Sequence, residues 1–142
     1  MMNKTELISH HREAELTLLV AKNDTIMEFK GRGISDLYRL YTTMPEALNG
    51  AFLVDKVVGK GAAALMVLGH ISELYTAVIS QPALQLLTAA GIKVDYSTLV
   101  ENIINRRGDG VCPVESLCAG ADSAETCLPL ISEFIKSLNQ RG

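Results

Sequence analysis

The sequence predicts a three-layer α/β/α domain around a central mixed sheet of about five strands. Three observations predict it. Short apolar runs of strand length alternate with amphipathic helical segments along most of the chain. Two strand-like runs, Leu16–Val20 and Thr25–Phe29, flank the turn residues Lys22-Asn23-Asp24, so a hairpin makes the sheet mixed. The 142 residues, 48% hydrophobic and 20% charged, suit one domain with its own core and show no linker, repeat or low-complexity tract.

Each element has a local reason. Asn3 or Thr5 caps a first helix running toward His11 or Ala14. Leu16–Val20 carries apolar residues on both faces, which places that strand inside the sheet. After the break at Gly31-Arg32-Gly33, Ile34, Leu37, Leu40, Tyr41 and Met44 recur at helical spacing until Pro45. Ala51–Val54 is a strand, with Asp55 at its end. Lys56–Gly61 follows as a turn, and Ala62–Leu68 is a helix apolar all round, hence buried on most sides.

Leu74–Ile79 is the next strand, and Ser80 caps a helix with Pro82 in its first turn and Gly91 beyond its end. Ile92–Tyr96 alternates as an edge or half-buried strand, and the capping-box spacing of Thr98 and Glu101 predicts a brief helix there. Gly108-Asp109-Gly110 is an open turn. Cys112-Pro113 starts a short helix, with Pro113 suited to its first position. In the last helix Asp122 and Glu125 form the expected cap pair. Ala124, Cys127, Leu128, Ile131, Phe134, Ile135 and Leu138 make its apolar face.

Composition excludes several function classes. The formal net charge is −3, and Arg106-Arg107 is the one basic doublet, so no nucleic-acid face is expected. The longest apolar run, Ala62–Leu68, falls far short of the roughly 20 residues that span a membrane. The N-terminus lacks the apolar core of a signal peptide. Three Cys in no disulfide spacing read as free thiols of a cytoplasmic protein. No heptad run sets an oligomeric state, and a homo-oligomer remains open.

The chemistry-bearing residues cluster at two Gly-rich turns that start helices, Lys56–Gly61 and Gly108–Glu115. Ligands of open α/β sheets bind beyond the carboxyl ends of strands. Asp55, Lys56, Gly59, Lys60 and Gly61 are therefore the expected ligand-binding residues, with Lys60 and free helix N–H groups meeting an anionic group. Cys112 is the candidate nucleophile or redox thiol, because a helix start favours a thiolate, with Lys60 or Glu115 assisting. The bland readings stand beside these: a packed thiol, a first-turn Glu complementing the helix dipole, a solvated Lys. Lys56–Gly61 is not a P-loop, because Gly61 follows Lys60 and Val54 holds the first Gly position. Cys112, Glu115 and Cys118 lack zinc-ligand spacing and a His partner, so no metal and no cofactor is expected. Three functions are compatible with this set: a small anionic or nucleotide-like ligand in the pocket, a Cys112-dependent enzyme, or a non-catalytic interaction or regulatory module.

The segments Asp55–Ala64, Ile103-Ile104-Asn105-Arg106 and Cys112-Pro113-Val114-Glu115 resemble those of an uncharacterised bacterial family of unknown function. That family has a cytidine-deaminase-like fold without the zinc site. The resemblance runs from the first helix to about Ala121; Gly61 stands where the family usually has Ala. It implies that Val58-Gly59-Lys60 occupies the turn where deaminases keep a zinc ligand and the proton-shuttling Glu. It also implies that Cys112 keeps one thiol of their second motif, with Glu115 at the position of the other. The resemblance alone adds Asn105 and Arg106 to the expected ligand-binding residues. A fold without the zinc-hydroxide reaction follows from the resemblance.

Overall fold

The computed structural model describes residues 2–31, 34–105, 108 and 110–140. Its elements run α1 (Lys4–Glu13), β1 (Leu18–Lys22), β2 (Thr25–Phe29), α2 (Ser35–Thr43), a short 3₁₀ turn (Pro45–Ala47) and β3 (Phe52–Val58). There follow α3 (Lys60–Leu68), β4 (Glu73–Ser80), α4 (Gln81–Ala89), β5 (Lys93–Val100), α5 (Pro113–Cys118) and α6 (Ala124–Gln140). The predicted breaks at Arg32-Gly33 and Asp109 lie outside the described residues.

The sheet order is β2-β1-β3-β4-β5. β1 pairs antiparallel with both β2 and β3, whereas β3, β4 and β5 are parallel. The hairpin thus makes the sheet mixed, and β1 is internal, as its two apolar faces require. Leu18, Val20, Leu53 and Leu74 point into the larger core cluster. Leu19, Val54 and Phe52 point to the opposite face, where Leu7 of α1 meets them. The three layers are uneven: α1 lies on one face, while residues of α2 to α6 pack into the cluster on the other. Within that cluster α3 is central, with Gly61 to Met66 all buried. Ala62-Ala63-Ala64 keeps the helix slim enough for α4 and α6 to approach it closely.

Alternation slips by one residue in all three parallel strands. Leu53, Leu74 and Val94 join the larger cluster, and so do Val58, Ile79 and Leu99, although each pair is five positions apart, an odd step that should place the two on opposite faces. The pairing offset is the same at Asp55, Thr76 and Tyr96 as at Val57, Val78 and Thr98, but the rung between them, at Lys56, Ala77 and Ser97, is missing. At the slip the Thr76 hydroxyl donates to the Val78 carbonyl at 3.0 Å, which satisfies a fully buried polar side chain locally.

Three local expectations are corrected. Asp55 and Lys56 lie inside β3 rather than at its end and in a turn, because the β-branched Val57-Val58 pair extends the strand to Gly59. Thr98–Val100 continues β5 instead of starting a helix: pairing of Thr98, Leu99 and Val100 with β4 outweighs the local capping-box signal. Ser123, not Asp122, caps α6, since its hydroxyl accepts from the Thr126 N–H at 3.2 Å. The first helix carries the cap expected of Asn3, as a reciprocal box with Glu6.

Candidate functional site

β3 ends at Val58, and Gly59 is the extended N-cap of α3. Gly59 offers no side chain to cap the helix, so the first N–H of α3 needs an acceptor from elsewhere. Glu115 supplies it. Its Oε1 accepts from the Lys60 N–H at 2.8 Å and from the Ser80 hydroxyl at 2.8 Å. Its Oε2 accepts from the Ile103 N–H. The residue is 2% exposed. One carboxylate therefore joins the start of α3, the end of β4, the chain after β5, and α5, on which it sits. The Ser80 hydroxyl also accepts from the Ala83 N–H at 3.3 Å, so the α4 cap joins the same network. Gly59 makes room for this: a Cβ there would stand 3.2 Å from Glu115 Oε1 and 3.2 Å from Ile103 Cγ1.

Lys60 turns away from this network. Its ammonium donates to the carbonyl of Ala121 at 2.6 Å and to that of Ala119 at 3.4 Å, the carbonyls just past α5. A cation at a helix C-terminus is favoured there by the dipole and by orphan carbonyls. Gly61 lies under α5, where a Cβ would come within 2.3 Å of Val114 Cγ1 and 3.8 Å of Cys118 Sγ.

Cys112 is the N-cap of α5 and is half-buried, with no side-chain capping bond, and Pro113 takes the first helical position. Its N–H donates to the Ile103 carbonyl at 2.7 Å, one step from the Ile103 N–H that Glu115 holds. Between these points Ile104 and Val111 form an antiparallel bridge, and the Asn105 N–H donates to the Gly110 carbonyl at 2.8 Å. The Asn105 side-chain oxygen accepts from the Gly108 N–H at 2.9 Å, a turn-closing role. Arg106 lies outside the described residues.

The structure thus brings Gly59, Lys60, Gly61, Cys112 and Glu115 together, with Asn105 in the adjoining turn. Asp55 and Lys56 lie one turn of chain earlier, on β3, and make no hydrogen bond to this cluster among the described residues. Lys56 is exposed. Asp55 is half-buried, and burial pushes its carboxyl from 3.8 up to about 7, against the opposing pull of the Lys56 and Val57 N–H groups. Between about pH 4 and 7 the unfolded chain gives up this proton and the folded chain keeps it. The contribution of Asp55 to stability is therefore complete below about pH 4, falls as pH rises through that window, and is gone above about 7. In Asp55→Asn, urea unfolding followed across pH is expected to lose a downward slope approaching about 1.4 kcal/mol per pH unit. An unchanged pH profile would show that Asp55 titrates alike in both states.

Sequence reasoning missed the two partners that make Glu115 a junction. Ser80 reads only as a helix cap, and Ile103 contributes through its backbone, which leaves no side-chain signal. Two open cavities, ≈ 290 Å³ and ≈ 260 Å³, flank the β1–β2 hairpin, lined by residues such as Leu7, Asn23 and Met27. No group of three or more His, Cys, Asp or Glu side chains that could hold a metal occurs among the described residues. Likewise, no helix among them is long and apolar enough to cross a membrane.

Residues 7–135 match the family model described as "TM1506: Domain of unknown function (DUF1893)". A crystal structure of a DUF1893 family protein, TM1506 from Thermotoga maritima, is similar at 26% identity and a TM-score of 0.82. That match covers 94% of this chain and 92% of that one. RibD from Acinetobacter baumannii matches at 16% identity and a TM-score of 0.42, over 56% of this chain and 27% of that one. No curated protein matches the chain.

Proposed function

The chain belongs to the DUF1893 family, whose function is unknown, and from that premise we propose that it is a binding domain for a small anionic or nucleotide-like ligand. The ligand sits at the carboxyl end of β3, over Lys56, the Gly59 turn, Ile103 and Cys112. The observation that carries the reading is how Glu115 is used. Its two oxygens accept from three donors, so the carboxylate is committed to positioning and not to proton transfer. Lys60 is likewise committed to backbone carbonyls. What stays accessible is an exposed cation, Lys56, and a half-buried thiol, Cys112, beside the Ile103 backbone that Glu115 holds. Such a set can grip and orient a ligand, since positioned loops lower the ordering cost of binding. The same observation weighs against nucleophilic chemistry at Cys112 assisted by Glu115 or Lys60, because neither assistant is left unoccupied.

Thermal unfolding in the presence of mononucleotides and inorganic phosphate tests this. A ligand at 100 times its Kd is expected to add about 2.7 kcal/mol, and Lys56→Ala is expected to remove most of that gain. No stabilisation by any anionic ligand at millimolar concentration, or equal stabilisation of the Lys56→Ala variant, would contradict the reading.

A further inference from the structure

β2 ends the sheet, and one side of its backbone is unused. Lys22 and Thr25 close the two-residue turn of the hairpin as a hydrogen-bonded pair. Alternation along an antiparallel ladder then points the N–H and C=O groups of Thr25, Met27 and Phe29 at β1, and those of Ile26 and Glu28 outward. Natural edge strands are blunted by Lys, Pro, a bulge or a covering segment. β2 has none of these. Thr25–Phe29 contains neither Lys nor Pro, and its pairing with β1 is regular at all five residues. Among the described residues, no backbone hydrogen bond reaches its outer side. Glu28, the one charge in the strand, is drawn to α1, where His10 Nε2 lies 2.7 Å from its Oε2. Ile26 leaves an apolar side chain exposed on the same edge.

We propose that the outer edge of β2 docks a second copy of this chain, antiparallel about a two-fold axis at Met27, which joins two five-stranded sheets into one. Charge selects both the partner and the register. Asp24 and Lys30 flank the strand, one residue before it and one after. Both are exposed, and neither side chain makes an ion pair or hydrogen bond among the described residues. An axis at Ile26 would oppose Asp24 to Glu28, and an axis at Glu28 would oppose two Glu28 carboxylates; like charges directly opposite destabilise a pair. With the axis at Met27, Asp24 of each copy faces Lys30 of the other, an attractive pair made twice. The same register sets Ile26 opposite Glu28 of the other copy, so the outward N–H of each donates to the outward carbonyl of its opposite. Ile26 then lies against the aliphatic stem of that Glu28. The edge is remote from the Glu115 network, so the pairing is independent of any ligand there.

Sedimentation velocity of the full chain from micromolar to millimolar concentration tests this, and a reversible monomer–dimer equilibrium is expected. Asp24→Lys and Lys30→Asp are each expected to weaken the dimer about tenfold, because each turns two attractive cross-strand pairs into repulsive ones. The two together are expected to restore it, which a purely structural effect of either change would not do. Both side chains are exposed and unpaired among the described residues, so the single chain keeps its fold. Met27→Cys with Cys112→Ser reads the register. At the axis the two Cα atoms form a pair without hydrogen bonds, about 4.5 Å apart and within disulfide reach, so oxidised glutathione is expected to give a covalent dimer. A chain that stays monomeric at millimolar concentration would overturn the proposal. So would a dimer indifferent to both charge reversals, one not restored by their combination, or one that Met27→Cys does not cross-link.

Discussion

Glu115→Ala is expected to lower stability by about 3–5 kcal/mol, since it strands buried donors that one carboxylate now satisfies. The Lys60 N–H, the Ser80 hydroxyl and the Ile103 N–H would lose their acceptor together. None can turn to solvent without moving α3, α4 or the segment after β5. For a domain of this size the loss corresponds to a fall in Tm of roughly 10 °C or more. Ser80→Ala removes one of the three donors together with the α4 cap and is expected to cost less, about 1–2 kcal/mol. Urea unfolding of both variants measures the difference. A Glu115→Ala loss no larger than that of Ser80→Ala would show that the carboxylate is an ordinary first-turn residue.

The second large effect is expected at Gly61. A single Cβ there would stand 2.3 Å from Val114 Cγ1, so α3 and α5 meet with no space for a side chain. Val114 is itself buried and branched, and cannot swing clear as a long side chain would. Gly61→Val is expected to cost about 3 kcal/mol, at the upper end for overpacking. Adding Val114→Ala should return part of that loss, because the two positions contend for the same volume. A double-mutant cycle in urea reads this directly. Additive losses would mean that α5 shifts away as a body instead of clashing at this contact.

The fold was largely legible because its determinants are local. Lys22-Asn23-Asp24 between two apolar runs specifies the hairpin, and the hairpin makes the sheet mixed. The all-apolar run from Ala62 to Leu68 announces a helix buried on most sides, and Gly61 to Met66 of α3 are buried. Cys112-Pro113 marks a helix start by chemistry that needs no distant partner. Failures came where distant contacts decide. Thr98 and Glu101 have the spacing of a helix cap, but Thr98 pairs with Val78, 20 positions earlier in the chain, and stays extended. The slip in alternation at Asp55, Thr76 and Tyr96 belongs to three strands at once and has no signature in any one of them.

The candidate site divides in the same way. The two helix starts were legible, since Gly59 and Cys112 both punctuate them. The role of Glu115 was not, because its partners lie 55, 35 and 12 residues away and two of the three are backbone N–H groups. Lys60 reads as a ligand-facing cation from its place beside a Gly turn. Its ammonium is instead drawn to carbonyls beyond α5, a contact spanning 61 residues.

Hydrogen exchange at two amides tests most directly whether Glu115 holds the site together. With the carboxylate accepting from both, the Lys60 and Ile103 amides should be protected in the native chain. In Glu115→Gln, under conditions where β1 and β3 keep their protection, both should become faster together by at least about tenfold, the equivalent of about 1.4 kcal/mol. Fast exchange of these amides in the native chain, or protection unchanged in the variant, would contradict the role assigned to Glu115.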